Sequence, residues 1–138
     1  MKPLFIDTSF LLALGLSDDQ HHDRAVAWQR HIGQPLLTTE FVLLELLDAM
    51  CSTEQLRTLA VSTIDLLRSD PAIRVIPASS ELLDQGIQFF RQRPDKQWSL
   101  TDCISFVTMH AARISDALSS DHHFEQAGFS ALLRREPP

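Results

Sequence analysis

Four carboxylates sit where carboxylates are out of keeping with their neighbours. Asp7 ends the apolar run Leu4-Phe5-Ile6 and is followed by two hydroxyl residues, Thr8 and Ser9. Glu45 stands inside Leu43-Leu44-Glu45-Leu46-Leu47. Asp102 lies three residues after Ser99 at the head of an apolar helical pattern, and Asp121 follows Ala117-Leu118-Ser119-Ser120. Carboxylates gathered in one pocket cannot all stay ionised without countercharge. Hard divalent cations supply it, and Mg²⁺ and Mn²⁺ take oxygen ligands. Such a site activates a water and stabilises the leaving oxygen of a phosphodiester, with no serine or cysteine nucleophile.

Each acid also has a plain structural reading. Asp7 is equally well placed to cap a helix that starts at Thr8, accepting a backbone N–H from Ser9 or Phe10. Ser99 and Asp102 have the spacing of a capping box, which for Asp102 alone is the stronger reading. Asp121 can cap the short helix after it. Glu45 resists most. Its i−4 and i−3 neighbours are Phe41 and Val42, and a buried carboxylate needs a partner or a metal. Asp48 would share its face and repel it. The alternative is a helix-edge glutamate reaching solvent.

Bringing the four together requires a fold that delivers strand ends and helix starts to one edge. The chain predicts one. Residues 3–7 read as a strand and 8–16 as a short buried helix. Ser17-Asp18-Asp19 has capping chemistry ahead of a helix over roughly 19–32, which Gly33 stops. A proline-led strand spans 35–38. Helices follow over 41–50 and 53–67, the second with Leu56, Leu59, Ala60, Ile64 and Leu67 at helical spacing. Asp70-Pro71 breaks it. Residues 73–77 form a β-branched strand and 81–91 a helix. Arg93-Pro94-Asp95-Lys96 is a polar loop, 99–112 a helix and 116–119 a strand. A short helix runs from Asp121 to Gly128, and 129–133 is a last short strand before a loose tail. Strands separated by helices mean βαβ units and a parallel sheet covered on both faces. Right-handed crossovers gather the strand C-terminal ends on one edge, where ligands bind.

Composition sets bounds on this reading. The 138 residues make one domain with a real core. No apolar run is long enough for a membrane span, and the opening residues lack signal-peptide character, so a cytoplasmic protein is expected. Cys51 and Cys103 read as small core residues in a reducing compartment, and neither forms a CxxC pair. The net charge of −6 argues against a coat for nonspecific nucleic-acid binding but not against a carboxylate-based nuclease. Arg91, Arg93 and Lys96 read first as a solvated face. Trp28 and Trp98 read as core, although Trp98 follows the basic loop. The adjacent histidine pairs, His21-His22 and His122-His123, should point in different directions and lack the i, i+4 spacing of a helical zinc pair.

The blocks Phe5-Ile6-Asp7-Thr8-Ser9, Glu45 in its leucine-rich helix, Ser99-Leu100-Thr101-Asp102-Cys103 and Ala117 to Phe124 resemble, in order, the four signature blocks of a PIN domain. The likeness is to VapC-type ribonuclease toxins of toxin–antitoxin pairs, and it covers nearly the whole chain. It implies a single PIN domain over 1–138, a three-layer α/β/α sandwich with a mostly parallel twisted sheet of four or five strands. It further implies that Asp7, Glu45, Asp102 and Asp121 bind one or two Mg²⁺ or Mn²⁺ ions, with Ser9 and Ser119 bonded around them. Ser119 stands where the family more often has threonine, and keeps the hydroxyl. His123 falls at a common family histidine position and is taken as structural or as a support behind the metal-binding acids. The implied reaction is hydrolysis of RNA to a 5′-phosphate and a 3′-hydroxyl. The implied partners are RNA, an antitoxin held in a groove of the second to fourth helices, and a second copy in a homodimer. Two alternatives keep the acids in view. A PIN-like module that binds RNA or protein without cutting would have no chemical need for them. A receiver-type phosphoacceptor would need an acidic pair and a late lysine, whereas the last lysine is Lys96.

Overall fold

The first two strands each give way at once to a polar residue that caps the next helix, Asp7 and Thr39, and this sets the architecture. The computed structural model describes residues 1–138. It runs β1 (Leu4–Ile6), α1 (Thr8–Gly15), α2 (His22–Gln29), β2 (Leu36–Thr39), α3 (Glu40–Ala49), α4 (Glu54–Ser69), β3 (Ile73–Ile76), α5 (Ser80–Gln92), α6 (Leu100–Ala112), β4 (Asp116–Leu118), α7 (His122–Gln126) and β5 (Ser130–Ala131), with a 3₁₀ turn at Leu132–Arg134. The sheet order is β3-β2-β1-β4-β5 and every pairing is parallel. Chain order runs outward one way from β1 to β3 and the other way from β4 to β5. The reversal lies between β1 and β4, and such a switch point opens a crevice beyond the strand ends.

The strands hold their places because they are apolar where both faces are covered. All three residues of the central β1 are buried. Phe5, Phe106 and Phe124 are wholly enclosed, and Phe106 meets Phe124 edge-on at 4.9 Å. Helix α1 contacts α2 and α3, and α3 contacts α4, while α6 contacts α5 and α7, giving two helical layers. Helices α3 and α6 also touch, which joins the layers. The helix starts are capped as their sequences require: Thr39 accepts from Val42 N–H, Thr53 from Leu56 and Ser79 from Leu82. Helices α5 and α6 cross closely at Gly86, where a Cβ would lie 2.3 Å from Ile104 Cγ1.

Several expectations are corrected. Helix α2 starts at His22, because the Asp19 carboxylate accepts from His21 N–H (2.8 Å) in the preceding turn rather than capping a helix. It ends at Gln29, so Gly33 lies beyond it and is not its stop. The last strand shrinks to two residues before the 3₁₀ turn. Cys51 is exposed, since the chain has left α3 by then, while Cys103 is buried. The tail is fastened as far as Glu136: the Trp28 indole donates to the Arg135 carbonyl, and Arg24 pairs with Glu136. Trp28 and Trp98 are both buried, as read. No helix is long and apolar enough to cross a membrane.

Candidate functional site

The four acids arrive at one cleft from four separate elements. Asp7 is the residue after β1 and the N-cap of α1. Glu45 is in mid-α3, Asp102 in the first turn of α6, and Asp121 caps α7 directly after β4. A cleft of about 360 Å³ at the switch point is lined by all four, together with Thr8, Ser9, Gln97, Ser99 and His123. No lysine or arginine lines it. The capping readings of Asp7, Asp102 and Asp121 are also correct. Asp7 accepts from Ser9 N–H, Asp121 from His123 N–H (2.9 Å), and Ser99 and Asp102 form a complete capping box. Capping and site membership are two uses of the same carboxylates.

Asp7 is the deepest of them. Its Oδ2 accepts from the hydroxyls of Ser9 and Ser119, both at 2.7 Å. Each hydroxyl accepts in turn from the loop after β4: Ser9 from Ser120 N–H (3.1 Å) and Ser119 from Asp121 N–H (3.0 Å). One carboxylate oxygen is thereby pinned to both central strand ends, and no hydrogen bond engages Oδ1. Burial still dominates. It pushes the Asp7 carboxyl up to about 6; the two serines pull the other way, and Asp102 and Glu45 add to the rise.

Burial likewise raises Asp102, against hydrogen bonds from the Ser99 backbone and His123. His123 Nδ1 stands 3.1 Å from Asp102 Oδ2 and 3.4 Å from Asp121 Oδ1, bracing the two acids. Glu45 is raised by burial and by Asp102 and Asp121, while the hydroxyls of Thr8 and Thr101 favour its ionised form. The Thr8 hydroxyl is buried and has no hydrogen-bond partner. Glu45 itself is half-buried, and its neighbour Leu44 faces outward. Asp48 is exposed and lines no part of the cleft, contrary to the expected shared face; Ala49, four residues on, takes that place.

The site is larger than the four acids. Thr8 and Gln97 carry no signal in the sequence, because each depends on contacts between distant elements, whereas the bracing role of His123 agrees with its expected place behind the acids. His122 and His123 do not diverge as expected. One ligating atom of each lies within 4.8 Å of the other and of Asp121. The short α7 sets the rings side by side, tilted by 48° with centroids 4.5 Å apart.

These donors fit a hard divalent cation. The carboxylates are oxygen ligands, burial and the neighbouring acids raise the pKa of Asp7, Glu45 and Asp102, and no lysine or arginine lines the cleft to offset them. Ion-free, the cleft holds its negative charge poorly.

Comparison with known proteins agrees with this geometry. The sequence matches the PIN domain family over residues 4–130. It is 28% identical over 129 residues to the 23S rRNA-specific endonuclease VapC20 of Mycobacterium tuberculosis, covering 91% of this chain and 95% of that protein. The crystal structure of M. tuberculosis VapC20, described as a sarcin-ricin loop cleaving toxin, superposes with a TM-score of 0.81 at 27% identity over 93% of this chain and 97% of that one. VapBC2 from Rickettsia felis, crystallised with a promoter DNA fragment, matches with a TM-score of 0.67 at 11% identity over 92% of this chain and 95% of that one. At that identity the likeness is one of fold alone.

Proposed function

This chain belongs to the PIN domain family, and from that premise we propose that it is a Mg²⁺- or Mn²⁺-dependent endoribonuclease and the toxin of a VapBC-type toxin–antitoxin pair. The supporting observation is the cleft itself: four carboxylates, the deepest raised to about 6, converge at the switch point with no lysine or arginine among the lining residues. In this reading residues 1–138 form one PIN domain, and Asp7, Glu45, Asp102 and Asp121 hold the metal. When bound, the ion would supply Lewis-acid polarisation of the phosphodiester and a water acidic enough to attack it. The chain's own residues do the positioning. Ser9 and Ser119 fix Asp7 by one oxygen and leave the other free for the ion. His123 keeps Asp102 and Asp121 in register, and Glu45 binds the ion or orients the water.

Leu44 and Leu47 on α3 and Val61 and Leu66 on α4 are exposed apolar side chains on touching helices. We assign that surface to protein partners, an antitoxin and a second copy of the chain. The sarcin–ricin loop of 23S rRNA, the target of the relative, is the first RNA to offer. The test is cleavage of that loop and other structured RNAs by antitoxin-free protein in Mg²⁺ or Mn²⁺, then with chelator, beside Asp7→Asn. Cutting that needs metal and disappears in the variant supports the nuclease. A folded protein that binds these RNAs and cuts none would instead be a binding module.

A further inference from the structure

The α5–α6 connection carries two basic residues, Arg93 and Lys96, and runs on into the lining of the acidic cleft at Gln97 and Ser99. Trp98 is buried, stacked on Phe89 at 5.8 Å and set edge-on to Phe106 at 5.1 Å. Its indole N–H donates to Gln126 on α7 (3.0 Å). The ring is therefore fixed from both α5 and α7. Two cations lie over it: Arg93 Cζ is 5.0 Å and Lys96 Nζ 6.0 Å from the ring centroid. Asp95 holds Arg93 through two bonds of 3.0 Å, whereas Lys96 makes no ion pair. Two like charges gathered on one ring, with a single acid between them, leave a local excess of positive charge that an anion would relieve.

Position decides which anion. Gln97, the residue after Lys96, already lines the cleft, and so does Ser99, whose capping box with Asp102 ties the loop to the catalytic helix. A charge fixed at this point reaches a phosphate next to the one in the cleft. The geometry points to Arg93 and Lys96 as a phosphate clamp for the RNA strand, with Trp98 as its rigid floor rather than as a base-stacking surface. The inference rests on the nuclease reading for its substrate, but not for its test. It also resolves a mismatch: an acidic protein needs some local means of holding a polyanion beside a negatively charged cleft.

Binding is measured apart from cutting, by fluorescence anisotropy of a labelled RNA hairpin on the Asp7→Asn background. Arg93→Gln and Lys96→Gln are each expected to weaken binding by about three- to tenfold at low salt. Each should flatten the slope of log affinity against log salt by about 0.7, one phosphate contact apiece. Arg93→Lys should keep the slope and lose part of the affinity, and Arg30→Gln, before the opposite ends of the strands, should change neither. Both side chains are partly exposed, and unchanged thermal unfolding of the variants establishes that the loop stays folded. Affinity and slope unaltered in both Gln variants would overturn the clamp. So would loss of binding to an acidic polyglutamate with RNA binding intact, which would assign the loop to a protein partner. Absence of cutting by the native chain would count against the nuclease alone and leave this result readable.

Discussion

The strand-end cleft and the seam between α5 and α6 share one helix and are built on opposite terms. At its first turn α6 delivers Asp102 into a group of desolvated, mutually repelling carboxylates. Along its body it packs Ile104 against Gly86 and Phe106 into an aromatic cluster with Phe89, Trp98, Phe124 and Phe129, every contact apolar. The seam lowers the free energy of the folded chain, while the ion-free cleft raises it. The cleft persists because the seam and the sheet over-determine the backbone that carries it.

Asp7→Asn separates the two regions most sharply. Partners one layer out from a metal lose about 10–100-fold on mutation, so loss of a direct ligand should cut RNA cleavage by more than about 100-fold. The same variant should stabilise the metal-free protein at pH 7. Folded Asp7 titrates near 6 against an ordinary value of 3.8. Holding it ionised therefore costs up to about 3 kcal/mol, less whatever the amide loses in hydrogen bonding. The pH dependence follows. Between about 4 and 6 the folded state keeps a proton that the unfolded chain has released, so the contribution is complete below about 4 and is lost as pH rises through about 6. Thermal unfolding in EDTA should show stability falling across that window. Asp7→Asn should flatten the fall, and saturating Mn²⁺ should raise the native melting temperature at pH 7. A native chain indifferent to both pH and Mn²⁺ would mean the cleft carries no such burden.

What the sequence could reveal follows the same division. Strands, helices and their order are written locally, in apolar period and caps, so they could be read nearly throughout. The exception at α2 is instructive: Asp19 had the right chemistry for a cap but spends it on a turn. Asp7, Asp102 and Asp121 were ambiguous in sequence because each caps a helix and lines the cleft at once. The resemblance to PIN domains, not any single spacing, set them beside Glu45. Contacts between distant elements had no local signature. His123 bracing an acid 21 residues away is one example, and the Trp98 indole bonded to Gln126 on α7 is another. Cys51 and Leu44 show the remaining gap: apolar character cannot tell a core position from an uncovered one.

Gly86→Ala attacks the seam and should leave the chemistry intact. Alanine improves helix propensity by about 1 kcal/mol. Its Cβ, however, would lie 2.3 Å from Ile104 Cγ1 in a side chain only 1% exposed. Overpacking of that kind costs about 1–3 kcal/mol, so a net loss of up to about 2 kcal/mol is expected in denaturant unfolding. Ile104→Ala alone opens a cavity, but in the Gly86→Ala background it should cost less, and that coupling identifies the crossing as the cause. Additive losses would place the strain elsewhere in α5.

The far end of α6 offers the smallest and cleanest change. Arg113 is the only non-glycine residue with positive φ, at 57°, and it ends the helix in a left-handed turn closed by Ile114 N–H on the Met109 carbonyl at 2.9 Å. An L side chain in that region costs about 1–2 kcal/mol, and glycine avoids it while giving back about 0.5–1 in chain entropy. Arg113→Gly should therefore stabilise by about 0.5 kcal/mol, a rise of about 2–4 °C in melting temperature at most. Because Arg113 is exposed and shares no partner with the acids, the gain should add to that of Asp7→Asn and leave cleavage unchanged. Non-additivity would show that the strain of the cleft is felt along the whole of α6, and the two regions would then be one cooperative unit.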